Sequence, residues 1–178
     1  MRQRLTRLQK DVLLLLFITG LLGSTIAYGN QHPVNDHPGM IRLHVVANSD
    51  SPEDQMIKRQ VRNEMIKTME GHDDLETARE YIDNHLTDME ETAAQIVSHY
   101  GAGYGVQAER KVTFIPEKSY EDLTLPAGNY EALRITLGEG KGQNWWCVIF
   151  PQLCLIGEET GSEKLILKSK IKEMLKNQ

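Results

Sequence analysis

The sequence predicts an α+β fold, a mostly antiparallel sheet with helices packed on one face, preceded by an N-terminal signal or anchor helix. Three observations point there. Apolar and polar residues alternate in MIRLHVVAN, VQAERKVTFIP and NYEALRITL, the period of a strand with two unlike faces. Between the first two of these, residues 75–100 carry apolar side chains at steps of three and four, the period of a helix with one buried face. Ahead of both, a basic start runs into an apolar segment.

Residues 1–29 hold Arg2, Arg4, Arg7 and Lys10 against Asp11 alone. The eleven residues from Val12 to Leu22 are apolar except for Thr19 and Gly20, and Ala27 and Gly29 follow as small residues. This is the order of an export signal, with a cut after Gly29 fitting the small positions. Extended to Tyr28 the run reaches 17 residues, the short end of what spans a bilayer, so an uncleaved anchor stays open. Residues 30–39, NQHPVNDHPG, read as a linker, and 40–178 as a single extracytoplasmic domain. The whole chain carries a net charge of −5, but residues 30–178 alone sum to −8. Such an acidic body offers no electrostatic footprint for nucleic acid, and membrane contact is expected only through the N-terminal segment.

The domain opens with a strand in MIRLHVVAN, where Ile41, Leu43 and Val45 alternate with Arg42 and His44. In NSDSPED, Ser51 suits an N-cap, Pro52 the first helical position, and Glu53 and Asp54 the positive end of the helix dipole. That helix runs to about Met69 on a stripe of Ile57, Val61 and Met65, and Gly71 stops it. The second helix places Leu75, Ala78, Ile82, Leu86, Met89, Ala93, Ile96 and Tyr100 on one side. Its stripe suits the domain's own sheet, with a coiled-coil seam as the alternative. A strand follows through Val106, Ala108, Val112 and Phe114, then a loop containing Pro116 and Pro126. NYEALRITL and NWWCVIF, joined by GEGKGQ, read as a hairpin, and 163–176 as a short C-terminal helix.

Neither glycine-rich stretch has the context of a phosphate loop. GAGYG lies between a helix and a strand, the reverse of the dinucleotide order, and GEGKGQ lacks both the Ser or Thr for magnesium and a following helix. No HExxH, His-Cys set or calcium-loop spacing occurs, so no metal and no cofactor are expected. A cysteine enzyme would need Cys147 beside a base, with His44 as the candidate, yet Cys147 sits mid-strand in an apolar run. No catalytic residue is therefore assigned. In an exported chain Cys147 and Cys154 can bridge, since Pro151 and Gln152 can reverse the chain between them; two buried free thiols are the alternative.

IRLHVVANSDSPEDQMIKRQVRNEM at 41–65, FIPEKSY at 114–120 and LPAGNYEALRITLGEGKGQNWWCVIFPQLC at 125–154 closely resemble the stage II sporulation protein R family. The matched segments keep their order behind an export signal. The resemblance implies a signalling protein of endospore-forming bacteria, made in the forespore and exported into the space facing the mother cell. There such proteins trigger a membrane-embedded aspartic protease, stage II sporulation protein GA, which cleaves the pro-form of sigma E. It implies a ligand and activator and supplies no active-site residues. For the receptor contact, Arg42, His44, Asn48, Asp50 and Asp54 gather round one strand end and helix start, although Asn48, Asp50 and Ser51 also suit a simple turn and cap. Trp145 and Trp146 must point to opposite sheet faces, one toward core and the other available as a contact hot spot. Two other readings are a secreted cell-wall hydrolase and a self-assembling structural protein of the spore envelope. Nothing in the sequence sets the oligomeric state.

Overall fold

The first strand, β1 (Ile41–Val46), lies in the interior of a four-stranded sheet and is buried along its whole length. The computed structural model describes residues 33–151 apart from 73, 121 and 122, together with Val12, Leu16 and Glu173. The chain forms two compact units, 1–33 and 34–178. Of the first unit, Val12 and Leu16 are helical; no helix among the described residues is long and apolar enough to cross a membrane. The expected export segment, the C-terminal helix at 163–176 and Cys154 otherwise fall outside the described residues.

Helix α1 (Pro52–Thr68) begins as the sequence dictates, with Ser51 Oγ accepting from Asp54 N at 3.1 Å and Pro52 in the first turn. It ends at Gly71, whose φ of +83° favours glycine. Helix α2 (Leu75–His99) is capped by Asp74, whose carboxylate accepts from Glu76 N and Thr77 N. The stripe of Ile57, Val61 and Met65 and that of Ala78, Ile82, Met89 and Ala93 both enter one core with Leu43, Val45, Leu133, Ile135 and Ile149. The long helix thus packs on its own sheet, and both helices cover the same face.

The sheet has the order β2 (Val106–Ile115), β5 (Gly128–Leu137), β1, β6 (Asn144–Phe150). β2 is antiparallel to β5 and β6 antiparallel to β1, but the central β1 and β5 are parallel, so the sheet is mixed rather than largely antiparallel. The expected hairpin between NYEALRITL at 129–137 and NWWCVIF at 144–150 does not form, because β1 lies between the two strands. Their six-residue connection is held instead by the chain leaving β1: Lys141 N donates to Asn48 O (3.1 Å) and Gly142 N to Ala47 O (2.9 Å). A Cβ on Gly142 would stand 2.2 Å from Ser49 O, so only glycine permits this approach. The anchor carries the chain past the end of β1 to its far side. The parallel β1–β5 pair is reached by the long connection through both helices and β2, as parallel strands require.

A short hairpin, β3 (Lys118–Tyr120) and β4 (Leu123–Leu125), occupies what the sequence presents as a proline-bounded loop. Ile115, Leu123 and Leu125 join Met40, Tyr130 and Val148 in a second, smaller core, with Tyr120 and Trp146 packed against it. Residues read as linker dock here as well. Asp36 N donates to Asn129 O (2.9 Å), Asn129 N donates to Asp36 Oδ2 (2.7 Å), and the His37 ring stacks on Tyr130 at 4.2 Å.

Candidate functional site

The residues singled out from the sequence separate into three places. Asn48, Asp50 and Asp54 spend their hydrogen-bonding capacity on the turn between β1 and α1. Asp54 accepts from Ser49 Oγ (2.5 Å), Asn48 Nδ2 (2.9 Å) and Tyr104 OH (2.8 Å). Asn48 Oδ1 accepts from Glu139 N (3.0 Å), and Asp50 Oδ1 from Gln143 N (2.7 Å), which ties the turn to the loop before β6. Burial alone would raise the Asp54 pKa, but its hydrogen bonds from Ser49, Asn48 and Tyr104 outweigh that and lower it. The same contact, with burial first, raises the Tyr104 pKa.

Trp145 lies beside α1. It is 37% exposed, and the Arg62 guanidinium stands 4.3 Å from its ring centroid. Trp146 points to the opposite face, as period-two alternation demands, and is half-buried. Its ring stacks on His44 at 5.5 Å, and Lys118 Nζ lies 4.4 Å from its centroid.

The third place is this far face of the sheet, built round β1. Arg42 has no exposure at all; it donates from Nε to Cys147 O (3.0 Å) and from Nη2 to Tyr120 OH (2.9 Å). Its guanidinium carbon lies 4.8 Å from the Tyr130 ring centroid and 6.0 Å from that of Tyr120. Strand register puts Glu109, Arg134, His44 and Trp146 in one row across β2, β5, β1 and β6. His44, 7% exposed, shares a 2.7 Å hydrogen bond with Asn144 through Nε2. Burial, with the positive charges of Arg134, Lys111 and Arg42, holds the imidazole below its ordinary pKa against the opposing effect of Asn144. Arg42 Nη1, His44 Nδ1, Arg134 Nε and Trp146 Nε1 are buried without a hydrogen-bond partner among the described residues.

Sequence reading missed Arg134, Lys118, Tyr120 and Tyr130 here. Arg134 had a signal in the alternation of LRITL; the others come from a loop and a strand end whose placement over β1 is not local information. The catalytic pairing of Cys147 with His44 has no geometric basis. Cys147 is level with Leu43 and lies in the helix-side core, whereas His44 is level with Trp146 on the far face. Cys147 is 5% exposed. Cys154 lies outside the described residues. No cluster of three or more metal-ligating side chains occurs among the described residues.

No solved structure matches the chain. The chain is 33% identical over 167 residues to stage II sporulation protein R of Bacillus subtilis (strain 168), covering 86% of this chain and 75% of that protein. The family model for stage II sporulation protein R matches residues 37–160, from the histidine stacked on Tyr130 through all of the sheet. A match over that span, joined to that identity, places the chain in the stage II sporulation protein R family.

Proposed function

We propose that the protein is an exported sporulation signal that acts from the space between forespore and mother cell. Its partner in this reading is a membrane-embedded aspartic protease, stage II sporulation protein GA, whose activation leads to cleavage of pro-sigma E. The observation that carries the reading is the family match across 37–160, the folded body itself, with the basic and apolar segment of residues 1–29 ahead of it. The body's net charge of −8 weighs against nucleic acid as the partner. Burial of Cys147 in the helix-side core weighs against a thiol hydrolase. We further propose that Cys147 bridges to Cys154; alkylation of the denatured, unreduced chain would leave both residues unmodified.

For receptor contact, the tryptophans divide the work. Trp145 is the exposed member, braced by Arg62, and supplies the anchor expected of an interface hot spot. Trp146 and His44 belong to the far face, and Asn48, Asp50 and Asp54 hold the fold between them. The deciding experiment co-expresses the protease and pro-sigma E in non-sporulating cells, with the full chain, with a version lacking residues 2–29, or with neither. Processing that requires the chain and its N-terminal segment establishes an activator working from outside the membrane. No processing, with the protein exported and folded, overturns the reading.

A further inference from the structure

On both faces of the sheet some cationic side chains have a carboxylate partner and others have none among the described residues; Lys58 and Arg62 are of the second kind on the helix side. On the helix side Arg79 and Arg110 both bind Glu131, and Arg110 also binds Asp83. On the far face Lys111 pairs with Glu109, but Arg42, Arg134 and Lys118 have no carboxylate partner among the described residues. Three cations with no carboxylate partner among the described residues thus share the far face of a body whose net charge is −8.

The same face holds all four unpartnered buried nitrogens found among the described residues. More than 90% of buried polar groups in native proteins are paired, so four clustered exceptions call for a partner. The cluster follows from the register, not from chance proximity. Arg134 and Trp146 flank His44 on the two strands next to β1, and Arg42 lies two residues before His44 on the same face. Arg134 Nε and Trp146 Nε1 can only donate, and Arg42 Nη1 likewise. His44 Nε2 donates to Asn144 Oδ1, so in the neutral ring Nδ1 is an acceptor, and the surplus donors are those of Arg42, Arg134 and Trp146. Lys118, whose Nζ lies over the Trp146 ring, adds a positive charge at the margin. A set of donors with surplus positive charge selects an anionic oxygen ligand.

We propose that this face is a receptor site for acidic side chains of a partner polypeptide, with carboxylates lying between Arg134, Trp146 and Lys118 over His44. Strands stand about 4.8 Å apart, so the donors on β5, β1 and β6 spread over roughly 10 Å. One carboxylate group does not bridge that width, whereas an extended segment with two acidic residues does. Arg134, Trp146 and Lys118 are each half-buried, so part of each side chain meets an incoming chain. Arg42, enclosed beneath Tyr120, contributes its charge from behind. The site stands independently of the protease reading, since it depends on the chemistry of this face alone.

The test is fluorescence anisotropy of a labelled Gly-Glu-Gly-Glu-Gly peptide with the full-length chain, beside its Gln counterpart, with acetate and inorganic phosphate as competitors. The acidic peptide binds, the Gln peptide binds at least tenfold more weakly, and neither small anion competes at the peptide's concentration. Arg134→Gln and Lys118→Gln each weaken binding at least tenfold, while Arg59→Gln on the exposed side of α1 leaves it unchanged. Circular dichroism confirms that each variant is folded; Lys118→Gln, on the short outer hairpin, carries the test if Arg134→Gln is not. No binding, equal binding of the two peptides, unchanged affinity in Lys118→Gln, or competition by acetate or phosphate alone at peptide concentration overturns the proposal.

Discussion

Glu131 and Arg42 occupy opposite faces of the same sheet, each buried and each charged, and they are solved in opposite ways. Glu131 is 5% exposed and receives Arg79 Nε and Nη2 at 2.8–3.1 Å, with Arg110 Nη1 at 2.6 Å. Hydrogen bonding to Glu131 raises the Arg79 pKa, and bonding first to Asp83 and then to Glu131 raises that of Arg110. Arg42 has no carboxylate among the described residues; aromatic rings and neutral oxygens surround it, and burial lowers its pKa. The helix face neutralises Glu131 internally, although Lys58 and Arg62 on α1 have only neutral or aromatic partners among the described residues. The far face leaves positive charge and donors over, which is what a surface kept for recognition looks like.

The comparison breaks first at Glu131. Replacing it with alanine removes the buried carboxylate that joins Arg79 and Arg110, but both guanidinium groups are part-exposed and keep Glu76 and Asp83, so the loss should be about 1.5–3 kcal/mol. A urea titration should show that drop, whereas a loss below about 1 kcal/mol would mean the helix face does not depend on its ion pairs. Asp54→Ala removes the acceptor of three side chains at the β1–α1 turn and should cost about 2 kcal/mol. Because the Asp54 pKa is lowered on folding, its contribution is complete above the unfolded carboxyl value and lost as pH falls through the folded one. The acid limb of a stability profile should therefore flatten in Asp54→Asn.

His44 sharpens the contrast by titration. Its folded pKa lies below the unfolded imidazole value of about 6.5, so the unfolded state binds more protons in the window between them. Stability should fall as pH drops through that window, by at most about 1.4 kcal/mol per pH unit, and His44→Gln should remove that part of the slope. An unchanged profile would show that the far face does not hold His44 neutral. The smallest effect is at Trp145. Trp145→Ala loses the Arg62 stacking, worth about 0.5–1 kcal/mol at an exposed site, and leaves the fold intact while abolishing protease activation. If Trp145→Ala and Trp146→Ala both unfold the domain, neither tryptophan is an interface anchor.

What the sequence determined by itself is local. The Ser51 cap, Pro52, the Gly71 stop and the three-four stripes of both helices are written in neighbouring residues, because capping and helix periodicity act within a turn or two. The opposed faces of Trp145 and Trp146 followed from the two-residue period of a strand. Tertiary structure alone decided which strand pairs with which. Any extended segment offers the same ladder of backbone donors and acceptors, so nothing local told the 128–137 strand to pair with 41–46 in parallel and leave 144–150 on the other side. It also decided what Arg42 and His44 are. Alternation marked them as an outward polar face, but Tyr120, brought from 78 residues away, and Trp146, on the neighbouring strand, enclose them. A residue's period shows which face it takes; only long-range packing determines whether that face meets water, a partner or the rest of the chain.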